Sequence, residues 1–425
     1  MLQEYQQSAQ SPLKAGAASS VPDGRFCSGS SPLRRARKVW IRSGLLAVLT
    51  CGCLAGWGYY LQKSETIESL DWRCRELNSQ RQWDQLKRVA ERLSLKQPDK
   101  ADPWLYRAAA AEGLKDWPNA VKFLDRVPRS DPRAISSLIQ KASIEFESLN
   151  EPLASVRTCD EVLELDPRVL IAHKQTIFFY AMTLQRAEMV RRIRQAIDVR
   201  RDSPESYVYL VSASWLYSGS LYRLNSRWLE NDPDNETYQV ARALQVYTSQ
   251  AKADLERAAE FEHIPQPEDL LKKYPQNHEL IAYFLNKSIT EGELDRVEEL
   301  LQTLTPEQIS RDPRFLRALA WRQDANNELL QAEQSLRQAH ALDPYWWQIH
   351  FQLHDILRRR GQADESARFF EIYRKAKDLS TEIMTLNQSI ENLDHTRFCQ
   401  SLIGLAELVG DTQVVSLLRE RVSPS

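Results

Sequence analysis

Residues 101–132 read ADPWLYRAAAAEGLKDWPNAVKFLDRVPRSDP, and the spacing inside this stretch decides the fold. Trp104 and Ala108 stand one helical turn apart; Ala120, Leu124 and Val127 follow at intervals of four and three, and Pro132 closes the run. A period near 3.6 residues puts each set on one face of a helix, so the stretch spells two amphipathic helices joined by a short turn.

The same frame returns roughly every 34 residues. Leu86, Ala90, Leu93 and Pro98 repeat as Ala120, Leu124, Val127 and Pro132, as Ser155, Cys159, Val162 and Pro167, and as Ala332, Leu336, Ala339 and Pro344. Ahead of each anchor stand a large residue (Leu70, Trp104, Ile139, Leu316) and, one turn later, a small one (Cys74, Ala108, Ser143, Ala320). The small residue is needed where two helix backbones approach closely. Asp-Pro or Ser-Pro punctuates the units, as at Asp102-Pro103, Asp131-Pro132, Asp166-Pro167, Ser203-Pro204, Asp232-Pro233, Asp312-Pro313 and Asp343-Pro344. Here Asp or Ser is expected to cap the next helix, with Pro in its first turn, where a missing N–H costs nothing.

Trp104, Ala108, Ala120 and Pro132 resemble the tetratricopeptide repeat (TPR) pattern, in which an aromatic, a small residue, an alanine and a closing proline recur. Ile281, Leu285, Val297, Leu301 and Leu304 keep the frame without the alanine or the proline. The resemblance covers roughly residues 65–380. It implies an all-α, right-handed solenoid of helix-turn-helix units in which each unit contacts only its neighbours. It also implies a non-enzymatic scaffold that binds proteins or peptides on its concave face.

Composition narrows the partners. With 56 Lys and Arg against 58 Asp and Glu the chain is nearly neutral and offers no basic stripe for nucleic acid. The six cysteines are scattered, and Cys74 and Cys159 fall on repeat-core positions, so they read as small buried hydrophobes. No phosphate loop, dinucleotide fingerprint, metalloprotease pattern or nucleophile elbow occurs. Hence no catalytic residue, cofactor, metal or small-molecule substrate is expected. His350 and His354, four apart with Asp355 beside them, have a metal-compatible spacing but sit on packing anchors, and packed histidines are the preferred reading. The sequons at Asn235, Asn286 and Asn387 are about as many as chance supplies.

Residues 1–38 are rich in Ser, Ala, Pro, Gly and Gln and read as a disordered tail. Residues 39–61 form an apolar run preceded by Arg34, Arg35, Arg37 and Lys38 and flanked by Trp40 and by Trp57, Tyr59 and Tyr60. The run reads as one uncleaved transmembrane helix, preferred over a cleaved signal, a twin-arginine signal or a lipoprotein site at Cys53. The basic flank keeps the N-terminus cytoplasmic, which makes the chain a single-pass inner-membrane protein with an extracytoplasmic array. The host is read as bacterial, with envelope assembly or secretion as the setting.

Beyond the anchor the expected parts are a first sub-array at 65–263, a proline-punctuated bend or insertion at 264–277, a second sub-array at 278–380 and capping helices at 381–425. On the first helices of the second sub-array, Arg314, Arg317 and Trp321 are expected to face the groove, followed in the next unit by Gln348, Phe351, Asp355 and Arg358. Two arginines a turn apart beside a tryptophan suit an extended acidic or C-terminal peptide. Other readings are a single-partner subunit of a membrane enzyme or transport complex docking through Gly44, Gly52, Gly56 and Gly58, a degenerate enzyme or metal-binding protein built on His350 and His354, and a cytoplasm-facing docking module.

Overall fold

The structure is a computed structural model that describes residues 65–212, 216–217, 221–248, 264–384 and 395–422. Two units are distinguished, Met1–Thr66 and Ile67–Ser425, and the second carries the fold. Among the described residues the regular elements are all helical. Residues 1–38 and 39–61 lie outside the described residues. No helix among those described is long and apolar enough to cross a membrane. This corrects the placement expected from the sequence: the single-pass anchor, and with it the inner-membrane address, has no support in the structure and is set aside.

The first four units pair α1 (Ile67–Ser79) with α2 (Trp83–Lys96), α3 (Ala101–Gly113) with α4 (Trp117–Leu124), α5 (Ala134–Ser143) with α6 (Pro152–Leu165), and α7 (Leu170–Met182) with α8 (Arg186–Asp198). The short α9 (Pro204–Val211), α10 (Tyr222–Asn231) and α11 (Glu236–Thr248) come next. The segment expected to bend holds α12 (Pro267–Lys273). Regular pairing resumes with α13 (His278–Glu291) and α14 (Leu294–Gln302), and a one-turn helix α15 (Pro306–Arg311) is inserted before α16 (Pro313–Ala325) and α17 (Leu329–Leu342). Then α18 (Trp347–Arg359) pairs with α19 (Ala363–Met384), and α20 (His395–Val409) with α21 (Thr412–Val422).

The repeat frame is the burial frame. Leu86, Ala90 and Leu93 on α2, and Ala332, Leu336 and Ala339 on α17, are all at most 1% exposed. Ile281, Leu285 and Val297 are equally buried although their unit lacks the alanine. Each leucine so placed contributes about 1.5–3 kcal/mol relative to an exposed one. One unit slips: α5 buries Leu138 and Ala142 in place of Ile139 and Ser143. The cause is a π-helical turn at Ile144–Ser148, which inserts one extra residue between the two helices of that unit and moves the α5 anchors back by one.

Turns also sort the prolines. Asp312 does cap α16, accepting a bond from the Arg314 N–H with Pro313 in the first position. At Asp166, Asp232 and Asp343, however, the aspartate closes the preceding helix, and Pro167, Pro233 and Pro344 lie in the connecting turn. There the proline carbonyl accepts a bond from the side chain six residues on: Trp104 to Pro98, His173 to Pro167, Gln239 to Pro233 and His350 to Pro344, all within 2.9 Å. Within the units, the turn between paired helices repeatedly uses one residue in the left-handed region: Arg81, Lys115, Asn150, Leu184 and Asn327, with Gly292, Gly361 and Gly410 in the later units.

Neighbour-only packing holds in the first units, where α1–α3, α3–α5 and α5–α7 each share a small separate core. It fails further on: beside a separate core shared by α13, α14 and α16, one large core joins residues from Val156 to Leu418, because α21 packs on α8 and α19 on α9. The chain thus returns on itself, and buried or partly buried polar ties fix the return. Arg186 pairs with Asp343 at 2.7 Å, Arg194 with Asp411 at 2.5 Å and Arg421 with Asp202 at 2.7 Å.

Candidate partner-binding groove

Three successive first helices, α13, α16 and α18, stand side by side and leave a groove of about 670 Å³ lined by Asn286, Arg317, Trp321, Trp347, Gln348, Phe351, Gln352 and Asp355 among others. The helical period puts Arg317, Trp321 and Asp324 on one face of α16, and Gln348, Phe351, Gln352 and Asp355 on the opposing face of α18.

Arg317 is the centre of the site's electrostatics. It is only 9% exposed, yet among the described residues no carboxylate pairs with it. Its Nη1 donates to Asn286 Oδ1 at 3.2 Å, its guanidinium lies 5.4 Å from the Trp346 ring centre, and its buried Nε has no partner. Burial without a compensating anion pushes its pKa down to about 10. Gln348 and Gln352 line the same groove, and the Oε1 of each is buried without a hydrogen-bond partner among the described residues. The two acids of the lining are already engaged, Asp355 by Arg358 at 2.6 Å and Asp324 by Arg359. Arg317 therefore lines the groove as a desolvated cation, with Gln348 and Gln352 in the same lining.

The expected site residues part company here. Arg317, Trp321 and Phe351 line the groove, and Phe351 is 48% exposed. Arg314 does not: it is buried between Asp312, at 2.6 Å, and Glu279, which hold its guanidinium firmly charged. Arg358 lies on the exposed flank of α18, outside the lining. Trp347, Gln352 and Asn286 escaped the sequence reading. Trp347 and Gln352 were within reach of the same helical period that gave Phe351, whereas Asn286 is brought in by the neighbouring unit.

Beside the groove, Phe351 and Phe370 pack on Tyr373 with ring centres 5.2 and 5.7 Å apart, and Trp347 lies 5.9 Å from the same ring. The result is an aromatic shelf that continues the groove wall across α18 and α19. His350 and His354 point to separate partners, Pro344 O and the Ser366 hydroxyl and carbonyl. Among the described residues no group of three or more metal-ligating side chains stands together. A second cleft of about 760 Å³, lined by Glu268, Lys287, Ser288 and Glu293, has these polar groups tied to one another.

No family model and no curated protein matches the chain. Solved structures similar to it include the Cut9–Hcn1 hetero-tetramer of the APC/C, at 12% identity over 89% of this chain and 78% of that one, with a TM-score of 0.31. A tetratricopeptide repeat protein from Parabacteroides merdae is similar at 11% identity over 60% and 98%, with a TM-score of 0.28. Yeast Tom70 is similar at 14% identity over 87% and 94%, with a TM-score of 0.26. Likenesses of this size carry no argument about site or partner; the all-α, TPR-like solenoid stands on the helices and anchors described above.

Proposed function

We propose that the chain is a protein-interaction scaffold whose α13–α16–α18 groove holds a partner segment bearing a carboxylate. The observation that carries this reading is Arg317, a buried guanidinium with no acid of its own, lining a groove walled by aromatic rings. An anion entering the groove supplies the missing charge, and Gln348 and Gln352 accept N–H groups from an extended main chain. Trp321, Trp347 and Phe351 then take an adjacent apolar side chain.

The test is fluorescence anisotropy on the full chain with short peptides that pair an apolar residue with one carboxylate, carried either on a side chain or at the C-terminus, against amidated controls. A charge-assisted bond of about 1.5–3 kcal/mol means that Arg317→Gln weakens binding of the acid peptides about tenfold or more and leaves the controls alone. The two acid series separate a terminal from a side-chain carboxylate. Equal binding of acid and amide peptides would remove the proposal.

A further inference from the structure

The turn between α17 and α18 carries three unrelated contacts within four residues. Asp343, which closes α17, accepts a bond at Oδ2 from Arg186 Nη2 of α8 at 2.7 Å. Tyr345, fully buried, donates its hydroxyl to Asp411 Oδ2 at 2.9 Å. That same carboxylate oxygen takes Arg194 of α8 at 2.5 Å, and the Arg194 guanidinium lies 5.7 Å from the Tyr345 ring centre. Trp346 faces the Arg317 guanidinium, and the next residue, Trp347, begins α18 and lines the groove.

Asp411 is also the residue on which α21 starts, accepting the Val414 N–H at 3.1 Å through its other oxygen. A mirror arrangement holds the far end. Asp202 accepts the Tyr207 hydroxyl at 2.6 Å and Arg421 of α21 at 2.7 Å. Each buried carboxylate thus combines a tyrosine from its own half of the array with an arginine from the other half. The two halves are joined by reciprocal ties and not by apolar packing alone.

We propose that this clasp between α8 and the C-terminal helix pair sets the position of the groove wall, with residues 343–346 as the connecting piece, so that groove occupancy and closure of the clasp are coupled. The physical basis is the short covalent path. Planar peptides leave two soft dihedrals per residue, so a shift of Tyr345 is passed to Trp346 and into the first turn of α18. Coupling of this kind is reciprocal: whatever the groove binds better when the clasp is closed also favours closure. The inference rests on the groove reading only for what is controlled; the coupling is a property of the chain alone.

Hydrogen exchange of the full chain, followed by mass spectrometry, tests it without a ligand. Tyr345→Phe deletes one hydroxyl and keeps the ring. It is expected to speed exchange of residues 349–353 in α18 roughly fivefold, the effect of one hydrogen bond, while α1–α6 keep their rates. Arg194→Lys, a milder break of the same tie, is expected to give the same pattern if the first variant folds poorly. Glu420→Gln removes only the exposed pair with Arg200 and is expected to leave residues 349–353 unchanged. Faster exchange confined to α8 and α21, or an equal effect from Glu420→Gln, overturns the coupling and leaves the peptide test of Arg317 standing. Loss of peptide binding specificity, conversely, leaves the exchange pattern to decide the coupling.

Discussion

Arg186 and Asp343, 157 residues apart, form an ion pair that is 8% and 1% exposed, and Arg186 uses two further donors on the carbonyls of Tyr209 and Leu210. Removing one partner of a buried pair strands the other charge. Asp343→Ala is therefore expected to destabilise the fold by about 3–5 kcal/mol, whereas Arg186→Met combined with Asp343→Leu recovers most of the loss. Urea unfolding of Asp343→Ala, of Arg186→Met and Asp343→Leu singly, and of the double variant checks this, and additive single and double effects would refute the pairing.

A β-carbon added to Gly113 would overlap the indole of Trp83, so α3 ends on glycine because α2 begins on tryptophan. Gly113→Ala is expected to cost about 1–3 kcal/mol by overpacking, despite the better helix propensity of alanine. Trp83→Leu in the same background relieves the overlap, so thermal unfolding of the double variant should show clear non-additivity.

Lys115 is exposed and holds φ at 58°, the left-handed conformation that the later units assign to Gly292, Gly361 and Gly410. Lys115→Gly is expected to stabilise by about 0.5–1 kcal/mol, the strain relieved exceeding the chain entropy that glycine adds. A lower midpoint in denaturant would contradict that balance.

His350 is fully buried 5.1 Å from His340, and burial pushes its pKa down to about 3 from an ordinary value of 6.5. Between those values the unfolded chain takes up a proton that the folded chain refuses, so stability falls as the pH falls through the window. The slope is about 1.4 kcal/mol per pH unit for this one group. Burial lowers His340 and His173 as well, in the same direction. His350→Gln removes one contribution, and denaturation midpoints at pH 7, 6 and 5 should decline less steeply than in the parent chain.

The helical anchors were legible in the sequence because they obey a local rule: a residue four positions away shares a face, whatever the rest of the chain does. The repeat frame predicts Ile139 and Ser143 as anchors, one position beyond the buried Leu138 and Ala142, because nothing in the frame of the other units announces the π-turn at Ile144–Ser148. Arg314 and Arg317 look alike on a helical wheel. What separates them is that Asp312, two residues ahead, and Glu279 from the neighbouring unit both pair with Arg314, whereas Arg317 has no acid partner among the described residues. The ties of Arg194 to Asp411 and of Arg421 to Asp202 span more than 200 residues and follow no period, so nothing in a one-dimensional pattern announces the return of the chain.

At Pro98, Pro167, Pro233 and Pro344 the carbonyl is met by an indole, an imidazole, an amide and a second imidazole in turn. Three chemically different kinds of side chain deliver an N–H to the same place. The position is degenerate in letters and invariant in hydrogen-bond grammar, so a matcher that scores residue types counts His173, Gln239 and His350 as departures from Trp104 while the backbone registers none. Divergence in such an array proceeds by exchanging donors, and kinship among its units is better traced through the bond each makes than through the alphabet that makes it.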